Sequence, residues 1–298
     1  MSAPPIRLLA VDIDGTLLDG RGRLPDAHRD ALVEASARGI EIALVTGRSF
    51  HFTHAVIDLL PVPLTLIVNN GAVVKRKTGE TEWRHVLERE VARRILEETH
   101  HLEDSVAVVF DRPGERQIVF ERMDWTHPNR RGYYEKNKAY IAAAPSPLAD
   151  TLTEDPIQVM FNGSVEPMRA LVASLRAMPA ADRFSVAITE YERRDFSLVD
   201  VNGARCSKGT TLARWAAGKG IDAAEVMAVG DNLNDVEMLD FAGVAVVMGN
   251  ASDAVKSRGY RLTGTNDEGG LAHAIRLYAL GPRSAEKEEQ GRDGSGRN

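Results

Sequence analysis

The segment Ile6-Arg7-Leu8-Leu9-Ala10-Val11-Asp12-Ile13-Asp14-Gly15-Thr16 decides how the rest of the chain is read. An apolar run of strand length ends abruptly in acids and a glycine. Such a run reads as a strand buried on both faces, the habit of a parallel sheet. Residues two apart along an extended chain point the same way. Asp12 and Asp14 therefore project together from the strand end, the edge where open α/β sheets place their ligands. Two carboxylates so close repel unless a proton or cation lies between them, and oxygen ligands suit a hard divalent ion such as Mg2+. Gly15 and Thr16 supply a sharp turn whose N–H groups can meet an anion. An isolated Asp-x-Asp is ordinarily a solvated turn. The apolar strand before this one, and three further polar strand ends, set it apart.

Working outward, Asp26 to Arg38 has helical spacing and stops at Gly39. A second apolar run, Ile40 to Thr46, ends at Gly47, and Ser49 to Leu60 is expected to be helical. A third run, Leu64 to Val68, ends in Asn69-Asn70-Gly71. Strand and helix alternate here as in a doubly wound α/β sheet. From Trp83 to Glu190 the rhythm changes. A helix is expected at Glu88 to Glu98, strands at Ser105 to Phe110 and Arg116 to Glu121, then a Pro-, Asn- and Tyr-rich stretch. A strand at Ile157 to Phe161, a helix at Val165 to Ala177, and strands at Phe184 to Thr189 and Phe196 to Val199 follow. From Lys208 the α/β alternation returns, with a strand at Val226 to Val229 running into Gly230-Asp231-Asn232-Leu233-Asn234-Asp235. The expected architecture is one α/β domain, residues 1–82 and 191–280, interrupted by an α+β domain at 83–190. Residues 281–298 are expected to be a disordered tail.

Composition narrows the function. With 43% hydrophobic and 27% charged residues the chain reads as an ordinary globular protein. A formal charge of −6 argues against a general nucleic-acid binder. Its single cysteine, Cys206, allows no intrachain disulfide. Met1 to Arg7 carries no leader pattern and no apolar run approaches the ~20 residues of a membrane span. A cytoplasmic protein without membrane contact, monomer or homodimer, is the expectation.

In a parallel sheet the polar strand ends share one edge, so Asp12, Asp14, Thr46, Asp231 and Asp235 should converge. Thr46 would offer a hydroxyl at a helix N-terminus, which favours anions. Alone it reads as an ordinary cap, and acids at Asp231 and Asp235 alone read as helix-capping acids. Lys208, opening a helix in Ser207-Lys208-Gly209-Thr210, is by default a surface lysine. Aimed at the acidic edge, it would neutralise a phosphoryl group.

Together VDIDGTLL, TGR, KG and GDNLND resemble the four motifs of the haloacid dehalogenase (HAD) superfamily in its Cof-type, subclass IIB form. That resemblance implies a Rossmann-like core with a type-B cap inserted between the second and third motifs. It implies a Mg2+-dependent phosphatase acting on small phosphorylated metabolites, such as sugar phosphates, through an aspartyl phosphate. Asp12 would be nucleophile and metal ligand. Asp14 would be general acid/base, ligating Mg2+ through its carbonyl. Thr46, Gly47 and Lys208 would hold phosphate, Asp231 would ligate the metal, Asn234 would contact phosphate, and Asp235 would support the metal shell. Arg48 and Asn70 would face substrate, and Arg130, Arg131, Tyr133 and Tyr134 of the insert are further candidates. A phosphotransferase or mutase would need the same residues. A non-catalytic phospholigand binder would be expected to lack at least one of Asp12, Asp14, Lys208 and Asp231.

Other reactive side chains read as bystanders. His51 and His54 lack a third ligand for zinc, and Cys206 is redundant beside Asp12. Trp83, Trp125 and Trp215 read as packing residues.

Overall fold

The structure, a computed structural model, describes residues 4–126, 128–144 and 147–281. The chain first lays down β1 (Leu8–Val11), α1 (Asp26–Ala37), β2 (Glu41–Val45), a one-turn α2 (His54–Ile57) and β3 (Thr65–Val68). It turns back through β4 (Val73–Arg76) and β5 (Thr81–Arg84). The insert follows: α3 (Arg89–Glu98), β6 (Val106–Val109), β7 (Ile118–Phe120), α4 (Pro128–Asn137), β8 (Ile141–Ala143), β9 (Gln158–Gly163), α5 (Val165–Ala177), β10 (Phe184–Tyr191) and β11 (Phe196–Gly203). The chain then returns with α6 (Lys208–Gly218), β12 (Val226–Gly230), α7 (Val236–Phe241), β13 (Val244–Val247), α8 (Asp253–Lys256), β14 (Arg261–Leu262) and α9 (Gly270–Ala274).

Eight strands form one sheet in the order β14-β13-β12-β1-β2-β3-β4-β5. All its pairings from β14 to β3 are parallel, and the β4–β5 hairpin adds antiparallel strands at one edge. Strand β1 lies between β12 and β2, with Leu8 opposite both Val226 and Glu41. The alternation of its side chains divides the core: Leu9 and Val11 pack on one face of the sheet, Leu8 and Ala10 on the other. Burial on both faces explains the unbroken apolar run in the sequence.

The insert is a six-stranded sheet, β10-β11-β9-β6-β7-β8, antiparallel except for β7 beside β8. Helices α3 and α5 cover one face of it with their own apolar cluster, including Val91, Ile95, Phe161 and Leu175. The outgoing and returning chains touch where the insert begins and ends: a Cβ built on Gly203 would lie 2.5 Å from the carbonyl oxygen of Val86.

Several expectations need correction. The insert ends later than 190, because β10 runs to Tyr191 and β11 to Gly203 in the second sheet. Its start at 83 falls inside β5, which belongs to the first sheet. The helix read over Ser49 to Leu60 is a tight turn followed by only four α-helical residues, closed off near Pro61 and Pro63. The Pro-, Asn- and Tyr-rich stretch holds helix α4. The tail beyond Gly281 lies outside the described residues. No helix among the described residues is long and apolar enough to cross a membrane.

Candidate active site

Asp12 follows β1 directly, and its N–H donates to the carbonyl of Val229 on β12, 3.0 Å away. The next residues wind into one wide turn closed by bonds from Leu17 N–H to Asp12 O and from Leu18 N–H to Ile13 O. Gly15 is obligatory there on two counts. Its φ is +84°, and a Cβ would sit 2.3 Å from a carboxylate oxygen of Asp231. The turn thus brings backbone from the β1 end against an acid from the β12 end. Thr16 Oγ1 closes the contact by donating to Asp231 Oδ1 at 2.9 Å.

Lys208 is the first residue of α6, behind Ser207, whose side chain caps the helix by accepting from Thr210 N–H. Far from being a surface lysine, it is 1% exposed. Its Nζ donates to Asp12 Oδ1 and to Asp235 Oδ1, both at 2.6 Å. The other Asp235 oxygen accepts from the N–H groups of Asp231 and Asn232, so this carboxylate also ties down the strand-end loop. Carboxylate oxygens of Asp12, Asp231 and Asp235 lie within 4.8 Å of one another.

Charge balance here is lopsided. Three carboxylates meet one ammonium, a formal excess of two negative charges. Burial pushes Asp12 up to about 7; Asp235 and Asp14 add to the rise and Lys208 opposes it. Burial also raises Asp231 well above the usual carboxylate range, helped by Asp12 and Asp235 against the Thr16 bond and Lys208. Burial works against the charge of Lys208, but Asp12 and Asp235 outweigh it and hold the group above its ordinary value. A divalent cation suits this oxygen-only set in both charge and ligand type, so the residues present fit Mg2+, with Asp12 and Asp231 offering the least committed oxygens.

Asp14 does not face this cluster alone. Arg48 grips it with two bonds, Nε to Oδ2 at 2.7 Å and NH2 to Oδ1 at 2.6 Å. Arg48 is thereby placed on a protein carboxylate, where a substrate-facing group was expected. Burial would lower its pKa, yet Asp14 and Asp12 keep it raised.

Thr46 is buried after β2, and its Oγ1 accepts from Arg48 N–H at 3.1 Å. It is not at a helix N-terminus as expected, since the next helical turn starts only at Phe50. The loop is zipped to the β3 end: Asn69 N–H donates to Arg48 O, and Asn70 N–H to Thr46 O. A Cβ on Gly47 would lie 3.3 Å from the Asn70 side-chain amide. Asn234 joins them, donating from Nδ2 to Asn70 Oδ1 at 2.9 Å. The four strand-end motifs are thus linked by direct contacts along one edge.

The insert closes over this edge. Tyr191, at the end of β10, is raised by burial and then by the charges of Asp14, Asp12 and Asp231. Tyr133 of α4 is raised by burial and Asp200, and packs against Phe52. Asn232 latches the two parts: it accepts from Glu190 N–H at 3.1 Å and donates to Glu190 O at 3.0 Å. Of the other insert candidates, Arg130 is spent inside the insert on Asn162 and Ser105, Tyr134 packs on Trp125, and Arg131 is exposed. Tyr191, Gln158 and Asp200 were missed. Only Asp200 left a trace, an acid inside the apolar alternation Phe196 to Val201.

Comparison with known proteins agrees with this geometry. A family model described as haloacid dehalogenase-like hydrolase matches residues 9–275. A 5-amino-6-(5-phospho-D-ribitylamino)uracil phosphatase of Bacillus subtilis, YcsE, is 27% identical, covering 92% of this chain and 96% of its own. Pyridoxal phosphate phosphatase YbhA of Escherichia coli is 27% identical over 92% of this chain and 99% of its own. A solved phosphatase of the same superfamily from Bacteroides thetaiotaomicron superposes with a TM-score of 0.74 at 27% identity, covering 93% of this chain and 96% of that one. The chain belongs to the haloacid dehalogenase-like hydrolase family, as a phosphatase of the Cof type.

Proposed function

We propose that this phosphatase is Mg2+-dependent and hydrolyses small phosphorylated metabolites, sugar phosphates among them, through an aspartyl phosphate on Asp12. The observation that carries the reading is the buried cluster of Asp12, Asp231 and Asp235 around Lys208, with its excess of two negative charges. When bound, Mg2+ would be held by Asp12, Asp231 and the carbonyl of Asp14, and would supply charge neutralisation for the phosphoryl oxygens.

The chain's own residues do the rest. Lys208 favours the ionised form of Asp12 and, by holding Oδ1, leaves its other oxygen oriented for attack on phosphorus. Phosphoryl transfer requires positioning more than covalent work, and Thr46 Oγ1, Gly47 N–H, Lys208 and Asn234 offer donors for the three phosphoryl oxygens. The bond from phosphorus to the ester oxygen breaks as the bond to Asp12 forms, and Asp14 donates a proton to the leaving oxygen. In the second half Asp14 takes a proton from the water that attacks the aspartyl phosphate, releasing inorganic phosphate and free Asp12. Both of its oxygens are engaged by Arg48, so Asp14 acts only once Arg48 yields one of them. Tyr133 and Tyr191 then face the leaving group and, with the insert, exclude water.

The two named relatives act on substrates with different leaving groups, so selectivity is assigned to the insert rather than to the acids. The test is phosphate release from a panel of phosphate esters, with Mg2+ and with chelator. Wild-type enzyme is expected to turn over only with metal, and Asp12→Asn to retain less than about 0.1% of the rate, the scale seen when a catalytic nucleophile is removed. Turnover above a few percent in Asp12→Asn would sink the nucleophile assignment.

A further inference from the structure

The end of β3 is strained. Asn69 and Asn70 adopt φ of 51° and 53°, in the left-handed region that non-glycine residues rarely enter. Both are buried; their N–H groups bond the Arg48 and Thr46 carbonyls of the core, and further partners come from the insert. On β11, Asp200 and Asn202 lie two apart and share a face; Gln158 on β9 stands directly opposite Asn202. Asn202 Nδ2 donates to Asn69 O at 3.0 Å. Asp200 accepts from Asn70 Nδ2 at 2.8 Å on one oxygen and from Gln158 Nε2 at 2.9 Å on the other.

The direction of these bonds is informative. Asn234 donates to Asn70, which donates to Asp200; from the other side Asn69 donates to Gln158 at 3.2 Å, which also donates to Asp200. Two amide chains converge, donor to acceptor, on one carboxylate. A primary amide has a donor end and an acceptor end and fits either way round, whereas an ionised carboxylate only accepts. Asp200 is therefore the one member that fixes which way the other four point. With Asn70 fixed, its Oδ1 faces Asn234 and draws Nδ2 of that side chain toward the strand-end edge. The second N–H on the same nitrogen is then available to an anion. Were Asn70 reversed, Asn234 would turn its carbonyl oxygen to that place and repel a phosphate.

We propose that Asp200, an insert residue joined to Asn234 through Asn70, is a positioning residue that sets the donor direction of the Asn70–Asn234 amide chain and thereby the phosphate affinity of the site. Phosphate capture is then tied to the seating of the insert, because the residue that orients the core amides belongs to the other sheet. The proposal rests on the phosphatase reading and on Asn234 meeting phosphate.

The experiment compares wild type, Asp200→Asn, Asp200→Ala and Asn234→Ala for KM, kcat and the inhibition constant of inorganic phosphate, with Mg2+ at a pH above 7.5. Asp200→Ala is expected to raise KM and the phosphate inhibition constant in parallel by about tenfold, the worth of one charge-assisted hydrogen bond. Its kcat should fall by less than its KM rises. Asp200→Asn, whose single acceptor still serves one chain, should lie between. In an Asn234→Ala background the Asp200→Ala change should add almost nothing, since residues acting through one path are not additive. An unmoved inhibition constant in Asp200→Ala, or a rise that persists in full without Asn234, would overturn the proposal. Should Asp200→Ala not fold, the wild-type side-chain amide of Asn70 still reports: one slowly exchanging proton is expected by NMR, and rapid exchange of both contradicts the chain. Wild type that releases no phosphate from any ester fails the phosphatase reading instead, which separates the two.

Discussion

Lys208 shows how much one side chain holds in place. It is buried, stands at the N-terminal end of a helix where positive charge is unfavourable, and is ion-paired with Asp12 and Asp235. Lys208→Met keeps the length of the side chain and removes the ammonium. Two buried carboxylates then face each other and Asp231 without their counter-charge, so the metal-free protein should lose about 3–5 kcal/mol of stability. Urea unfolding in chelator checks this, and an unchanged midpoint contradicts the pairing. Asp200 behaves in the opposite sense. Burial pushes it up to about 7, against the Asn70 bond and Lys208; its charge in turn helps raise Tyr133. Its folded-state value lies above that of the unfolded chain, so the folded state binds the proton more tightly. Stability from this group is present near pH 4 and is lost as pH rises toward 7. Asp200→Asn cannot titrate, and should lose less stability than wild type between those limits when urea midpoints are followed against pH.

Among elements, the cap of α6 matters beyond the helix it starts. Ser207 accepts from Thr210 N–H and also bonds Glu237 on α7, which fixes where Lys208 begins. Ser207→Ala should cost about 1 kcal/mol and lower kcat/KM, because the displaced lysine serves both Asp12 and the phosphate. Calorimetric melting together with steady-state kinetics tests it. This region was legible from sequence, as were β1, α1 and β12, because a buried parallel strand and a capped amphipathic helix each leave a pattern in residue order. The β4–β5 hairpin was not: Lys75, Arg76 and Lys77 look like loop, yet Lys75 is buried through its pairing with Asp111. Helix α4 hid behind Gly132, a poor helix former in its interior. The conformation of Asn69-Asn70 was equally hidden, since it is held in part by Gln158, Asp200 and Asn202 from distant sequence.

Across the whole molecule, two sheets with largely separate apolar clusters meet over the acids. The sequence motifs located the large sheet's share of that meeting. They were silent on the insert's share, whose residues are read only once β9, β10 and β11 are aligned. The Asn232–Glu190 latch is one of the contacts that hold the parts together. Asn232→Ser keeps a capping oxygen for the following turn but cannot reach Glu190. Losing two hydrogen bonds of about 1 kcal/mol each should favour an open arrangement, seen as a larger radius of gyration in small-angle scattering and about a tenfold higher KM. Equal radii in variant and wild type would show that the latch is not what keeps the parts closed.

The contact between Gly203 and Val86 carries one more consequence. Because the insert departs and comes back through a single narrow gateway, it is tethered as a door is by adjacent hinges. A lineage could exchange the whole door for one of another shape, and so meet new leaving groups, while the frame that performs the chemistry stayed as it was.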